Sequence, residues 1–177
     1  MTPAHDLEPL GHGLFIWHAY DPVAKTDLFS TAMVTPGGLV LVDPIPLDDE
    51  ALADLRRLGA VFGIVVTNEN HPRAAADYAA LFNAPIFGRQ ASKIFDGIST
   101  VLDGDLIADE LKVITIDGAA PGEIALYHSA NGGTVLVGGI LNLNWCVRPG
   151  FSDSFIWVAG AGRRWAAGRS GALRPRS

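Results

Sequence analysis

The sequence predicts an α/β fold, of the α+β kind, in which two mixed β-sheets pack face to face and are flanked by helices. Residues 39–87 alternate strand, helix, strand, helix and strand, a pattern typical of parallel strands that are covered on both faces. Patterns of antiparallel hairpins lie on both sides of that segment, at residues 30–42 and 111–137. Hairpins at both ends of a βαβ segment favour two packed sheets over one.

The first elements are short apolar strands. Residues 14–17 form an apolar run, and residues 30–35 lead into Pro36, Gly37 and Gly38, which signal a turn. Residues 39–42 follow as a β-rich run that Asp43 and Pro44 close. The pattern predicts a hairpin over 30–42, with glycine where a positive φ is easiest.

The central segment alternates helical and apolar periods. Acidic residues at 48–50 open a helix in which Leu52, Leu55 and Leu58 recur with helical spacing, and Gly59 ends it. An unbroken apolar run at 61–66 predicts a strand covered on both faces. A polar stretch at 67–73, a helix at 74–82 and a short strand at 84–87 follow.

The last predicted elements are three strands with tight turns, at residues 111–116, 123–128 and 134–137. Asn131, Gly132 and Gly133 lie between the last two and have the composition of a hairpin loop.

Composition excludes several classes of protein. The chain has 177 residues, is 49% hydrophobic and 18% charged, and so cannot be disordered as a whole. Its net charge of −6 argues against nucleic acid as the main partner, and its single cysteine, Cys146, excludes a disulfide framework. It has neither a signal-peptide pattern nor an apolar run long enough to span a membrane. We therefore expect a cytoplasmic protein with no membrane partner.

The charge changes sharply near residue 147. Residues 148–177 contain six arginines and one acid, for a net charge of +5, whereas residues 1–147 carry −11. This break predicts a domain at 1–147 and an Arg-rich tail at 148–177. The tail is interpreted as a poorly ordered terminus, as an end that is not native to the fold, or as an arm for an anionic partner. An incomplete sheet edge would favour pairing of the chain with a second copy.

Four local patterns, in order, resemble the metallo-β-lactamase superfamily over about residues 10–145. They are the apolar strand ending at Asp43, the strand 65–67 that runs into a polar loop and helix, the Pro121-Gly122 turn, and the strand 135–137 followed by Gly138 and Gly139. The resemblance implies an αββα sandwich whose C-terminal end is incomplete or atypical. It also implies a hydrolase that holds one or two metal ions, zinc among them, which convert a bound water into the attacking hydroxide.

The positions that hold metal ligands in that family carry other residues here. By the resemblance, its histidine and aspartate positions correspond to Asn68, Asn70, Pro72, Arg73, Ala119 and Gly139. Arg73 would put a permanent positive charge where a dication belongs. At ~4 Å and an effective dielectric constant of ~20, each unit of metal charge would meet ~4 kcal/mol of repulsion. The sequence therefore predicts that no metal is bound.

The polar residues at 67–73 leave two interpretations open. Asn70 could cap the following helix, with Pro72 in its first turn. Alternatively, Asn68, Asn70, His71 and Arg73 could bind a small anion such as phosphate or carboxylate. Asp43 is expected to anchor the emptied loop, and Asp43 and His71 are the weak candidates for a catalytic role.

Three hypotheses follow for the whole chain. The first is a metallo-β-lactamase fold that has lost metal and hydrolysis and keeps a binding role. The second is an active hydrolase of esters, lactones or thioesters that uses unrecognised ligands, such as Asp43, His71 and His128, or acid–base chemistry through His71. The third is a truncated or altered chain whose native partner surface is missing.

Overall fold

The computed structural model describes residues 1–89, 97–118, 120–130 and 133–137, and the backbone of three short strands at 155–158, 165–167 and 173–175. Within the described residues one sheet has seven strands, which lie side by side in chain order. They are β1 (Glu8–Gly11), β2 (Leu14–Asp21), β3 (Thr26–Thr35), β4 (Gly38–Val42), β5 (Val61–Val65), β6 (Ile86–Arg89) and β7 (Ser99–Val101).

The pairing in this sheet changes at β4. Strands β1 to β4 are antiparallel, and β4 to β7 are parallel. The predicted hairpin over 30–42 and the parallel segment are thereby confirmed. The apolar run at 14–17 predicted only the first half of β2, because the outer half of this strand is partly exposed and carries no continuous apolar run. The strand predicted at 84–87 lies two residues later.

The second sheet has five strands among the described residues, in the order β12, β11, β10, β9, β8. Their bounds are β8 (Leu106–Ile107), β9 (Leu111–Thr115), β10 (Ile124–His128), β11 (Thr134–Val137) and β12 (Phe155–Val158). The predicted strands at 111–116, 123–128 and 134–137 are confirmed as an antiparallel set, and β12 lies parallel to β11. Residues 131 and 132 of the predicted hairpin loop lie outside the described residues.

Two further strands, β13 (Trp165–Ala167) and β14 (Leu173–Pro175), form an antiparallel pair. The rest of residues 148–177, like Cys146, lies outside the described residues. The division into a domain at 1–147 and an unusual tail therefore stays a prediction.

The two sheets form a sandwich because β4 buries both of its faces. Leu39 and Leu41 pack with residues of the two described helices, α1 (Asp49–Arg57) and α2 (Ala75–Phe82). Val40 and Val42 point the other way and pack with the apolar residues of β9 and β10. This alternation puts one core between helices and sheet and a second between the sheets, as the sequence predicted. No helix among the described residues is long and apolar enough to cross a membrane.

Helix α1 begins with a side-chain cap. The Asp48 carboxylate accepts a hydrogen bond from the Ala51 N–H at 2.9 Å, and its other oxygen lies 2.6 Å from His5 Nδ1. Asp49 and Glu50 follow in the first turn, and Arg56 and Arg57 occupy the last, as the helix dipole favours.

Helix α2 begins later than a cap at Asn70 would require. It starts at Ala75, and Ala74 stands at the N-cap without a side-chain cap. The prediction that Asn70 caps this helix, with Pro72 in its first turn, is wrong. The Ala74 N–H instead donates to Pro44 O at 3.0 Å, so the segment after β4 provides the acceptor that a capping side chain would otherwise supply.

Strand β5 contains a β-bulge opposite β4. Leu39 is opposite Val61 but Val40 is opposite Gly63, so Phe62 is the extra residue. The Phe62 ring stacks on the Phe87 ring at 6.0 Å between centroids. Gly63 leaves room for this stack, since a Cβ there would lie 2.4 Å from Phe87 Cε2.

We expect Gly63→Ala to destabilise the fold by about 1–3 kcal/mol, because the new methyl overlaps a ring that cannot move without breaking its stack. Chemical denaturation measures this cost. Adding Gly63→Ala to a Phe87→Leu protein should cost much less, since the overlapping ring edge is gone. An equal cost in both backgrounds would contradict the assigned overlap.

The cap of α1 predicts a pH dependence of stability. The hydrogen bond from His5, and after it the one from the Ala51 N–H, lowers the pKa of the Asp48 carboxyl. A lowered folded-state pKa stabilises the fold above the unfolded pKa of ~3.9, and that stabilisation is lost as pH falls through the folded value. The unmodified protein should therefore be more stable than Asp48→Asn near neutral pH and equal to it in strong acid.

Urea denaturation across the acidic range measures this difference. The matched control is Asp77→Asn, since Asp77 also lies in the first turn of a helix but makes no cap. A constant difference between Asp48→Asn and the unmodified protein at every pH would refute the role given to the charge.

Candidate functional site

Asp43 and Thr67 meet because β4 and β5 are parallel neighbours and end at the same edge of the sheet. The Asp43 carboxylate accepts hydrogen bonds from the Thr67 N–H at 2.8 Å and from the Thr67 hydroxyl at 2.5 Å. Both residues are buried. Asp43 adopts a positive φ of 47°, which costs a non-glycine residue energy and is held here by these bonds. Asp43 thus anchors the loop at 67–73, as expected from the sequence.

The His71 ring lies against the same carboxylate. Its Nδ1 is 3.0 Å from Asp43 Oδ2, and 3.3 Å from both Thr67 Oγ1 and Asn68 Nδ2. The shortest of these contacts is to an anion, so we assign the proton to Nδ1, which donates to Asp43. The other ring nitrogen, Nε2, has no hydrogen-bond partner among the described residues, and the side chain keeps 16% of its surface exposed. Nε2 is therefore left for solvent or a ligand.

The two asparagines have different roles in the loop. Asn68 is buried, and its Oδ1 accepts the Asn70 N–H at 2.8 Å, which turns its amide nitrogen toward His71. Asn70 is exposed, and no hydrogen bond of its side chain is recorded in the described part of the chain. Asn68 therefore supports the loop from within, whereas Asn70 presents an amide outward.

Arg73 turns beneath the loop and links β3 to the residue that follows β4. Its Nη1 donates to Phe29 O, in β3, and to Asp43 O at 2.9 Å. The Ser30 hydroxyl also donates to Asp43 O, at 2.7 Å, and accepts the Ile45 N–H. Burial lowers the pKa of Arg73, while the Asp43 charge opposes that shift. An arginine stays protonated in proteins, so a cation is fixed at this position.

The loop also contacts the segment that leads into β10. The Glu69 N–H donates to Pro121 O at 3.1 Å, and the Ile124 N–H donates to Thr67 O at 2.8 Å. Three of the patterns quoted for the resemblance, at Asp43, at 65–67 and at Pro121-Gly122, are thus joined by hydrogen bonds. Ala119 and Gly139, the other two former ligand positions, lie outside the described residues.

His128 does not join this cluster. Ile124, at the start of β10, contacts the loop, and His128 ends the strand four residues later, ~13 Å away at ~3.3 Å per residue. Its Nε2 lies 2.9 Å from Glu110 Oε2. The set of Asp43, His71 and His128 considered as alternative ligands therefore does not converge on one ion.

The side chains of the loop do not fit a transition metal. Both oxygens of Asp43 already accept hydrogen bonds, and His71 offers one free nitrogen. Pro72 has no donor atom, Arg73 is a cation, and neutral amides are weaker ligands for such ions than imidazole. No group of three or more His, Cys, Asp or Glu side chains that could hold a metal occurs within the described residues.

Sequence reasoning missed the contribution of Ser30 and Thr67. Both are buried polar residues, Ser30 within β3 and Thr67 just after β5, and the sequence gives no sign that their hydroxyls meet Asp43. Only the pairing of β3, β4 and β5 brings the three residues together.

Comparison with known proteins agrees with this geometry. A family model described as the metallo-beta-lactamase superfamily matches residues 10–144. No curated protein matches the chain.

Several solved structures share the fold. DIM-1 metallo-beta-lactamase has a TM-score of 0.60 and 12% identity, over 78% of this chain and 70% of that one. A beta-lactamase domain protein from Burkholderia ambifaria has a TM-score of 0.62 and 13% identity, over 90% of this chain and 69% of that one. A metallo-beta-lactamase from Pontibacter korlensis has a TM-score of 0.58 and 13% identity, over 73% of this chain and 69% of that one. At these identities the likeness is one of fold.

We expect Thr67→Val to destabilise the protein by about 1–3 kcal/mol, because it removes a hydroxyl donor from a buried carboxylate and keeps the side-chain shape. Chemical denaturation measures the loss. Thr67→Ser keeps the hydroxyl and should retain most of the stability. If serine costs as much as valine, the Asp43 contact is not what Thr67 contributes.

Proposed function

This chain belongs to the metallo-beta-lactamase superfamily, and we propose that it is a metal-independent member that binds a small anion at this loop and does not catalyse hydrolysis. The anion is a phosphate, sulfate or carboxylate group. Asn70, His71 and Arg73 contact it, and Asn68 supports them from within the loop.

The partly buried guanidinium of Arg73 is the observation that carries this proposal. Its bonds to the carbonyls of Phe29 and Asp43 hold a positive charge under the loop, and the resemblance assigns a metal ligand to this sequence position. A second positive ion beside it would be repelled, whereas an anion would be attracted. The same contacts keep the loop folded without a metal.

Donor atoms remain for an anion after the loop has been satisfied. Nη1 of Arg73 makes both recorded bonds, so Nη2 and Nε have no partner within the described residues. His71 Nε2 and the Asn70 amide are likewise unoccupied there. The Ala74 and Ala75 N–H groups at the start of α2 do not add to these donors, because they are bonded to Pro44 O and Pro72 O.

The first test is metal content. Purified protein should contain zinc, iron and manganese far below one ion per chain, and a chelator should leave its thermal stability unchanged. Elemental analysis after gel filtration, with and without prior incubation in zinc, measures this. Near-stoichiometric retention of any of the three metals would overturn metal independence.

The second test is anion binding. Calorimetric titration with inorganic phosphate and with acetate should show one site, and Asn70→Asp should weaken it about tenfold or more by adding a negative charge beside the anion. Asn83→Asp is the matched control. It adds the same charge beyond the far end of α2, about 12 Å away along an eight-residue helix, and should leave affinity unchanged. Equal losses in both variants would refute the assigned site.

One observation favours a second candidate function, hydrolysis without metal. An imidazole whose Nδ1 is held 3.0 Å from a buried carboxylate, with Nε2 free, has the geometry of a general base. Nε2 would take a proton from water as the oxygen attacks an ester, lactone or thioester, and return it to the leaving group. Turnover of such substrates that His71→Ala abolishes would support this candidate, and absence of turnover across the panel would remove it.

A further inference from the structure

We propose that the anion enters this cleft together with a proton, which His71 takes up on Nε2. This inference rests on the proposed function and adds how binding at that site is regulated. In its neutral form His71 presents a lone pair at Nε2, which repels an anion. In its protonated form Nε2 becomes a donor, and the ring carries a positive charge beside that of Arg73.

The contacts of Asp43 fix the orientation of this ring. Asp43 Oδ2 accepts from His71 Nδ1 at 3.0 Å, so the carboxylate holds one ring nitrogen and leaves Nε2 as the atom that a proton can reach. The backbone carbonyl of Asp43 accepts from Arg73. His71 is therefore hydrogen-bonded to the carboxylate of Asp43 and Arg73 to its backbone carbonyl. A ligand that contacts one of these two side chains is near the other.

An anion also changes the charge balance of this cluster. Asp43 and Arg73 together are neutral, so a bound anion would add uncompensated negative charge. A proton on His71 offsets one unit of that charge, which makes the uptake of both together more favourable than that of the anion alone.

Other groups near the loop could also respond to pH. The charged or titratable side chains on the segments that contact the loop include Asp43, Glu69, Arg73, Asp77, Glu123 and His18, whose ring stacks on Phe29 at 5.1 Å. Exposed carboxylates ordinarily titrate well below neutrality and arginine far above it, but burial raises the pKa of a carboxyl. Near neutral pH the candidates are therefore His71, His18 and the buried Glu123, and the His71 variant below separates the first from the other two.

Sulfate is the probe for the test, because it does not itself titrate in the range where histidine does. Affinity should fall roughly tenfold or more between about pH 5.5 and about pH 8.5, on either side of an ordinary histidine pKa of ~6.5. Calorimetry in buffers of different ionisation enthalpy should show uptake of about one proton per sulfate on the alkaline side. This measurement needs no variant.

His71→Asn places an amide nitrogen where Nδ1 donates to Asp43, but has no atom at Nε2. It should bind sulfate weakly at both pH values and without proton uptake. His18→Asn, the matched control, should keep the full pH dependence.

The outcomes separate the two proposals. If the unmodified protein binds sulfate at neither pH, the anion site itself is wrong, and proton uptake fails with it. If it binds equally at both pH values, or if His71→Asn keeps the pH dependence, only the coupling to His71 is overturned.

Discussion

Asp43 is the residue on which the cleft depends. Its carboxylate accepts from the backbone and hydroxyl of Thr67 and from His71, and its carbonyl accepts from Ser30 and Arg73. A buried carboxylate is costly unless it is fully hydrogen-bonded, and here the compensation comes from the loop that it positions. The loop and the Asp43 carboxylate that anchors it therefore stabilise each other.

The sandwich makes this arrangement possible. Parallel pairing of β4 and β5 brings Asp43 and Thr67 to one sheet edge, and the antiparallel partner β3 contributes Ser30 and the Phe29 carbonyl. The second sheet reaches the loop through Pro121 and Ile124. The cleft thus draws on both sheets, and its polar groups are fixed by backbone pairing that the apolar cores stabilise.

Much of the fold could be predicted because apolar periodicity is a local property. The alternation along β4 and the acid-rich start of α1 each identify their element without reference to the rest of the chain. Elements that mix apolar and polar residues without a clear period are harder to predict. The outer half of β2 is partly exposed. The helix predicted at 74–82 is one residue from α2, but the cap considered at Asn70 is wrong, because Asn70 and Pro72 have the composition of a helix start without forming one. The Ala74 N–H finds its acceptor in Pro44, thirty residues away in sequence.

For the site, the sequence by itself determined which side chains are present: amides, proline and arginine at positions where the family has metal ligands, and an aspartate after an apolar strand. The tertiary structure decided what they do. It turned Arg73 under the loop to two carbonyls, directed His71 toward Asp43 and left Nε2 free, and separated His128 from both. Residue type fixes which atoms can donate or accept, but only strand pairing sets which of them come within hydrogen-bonding distance.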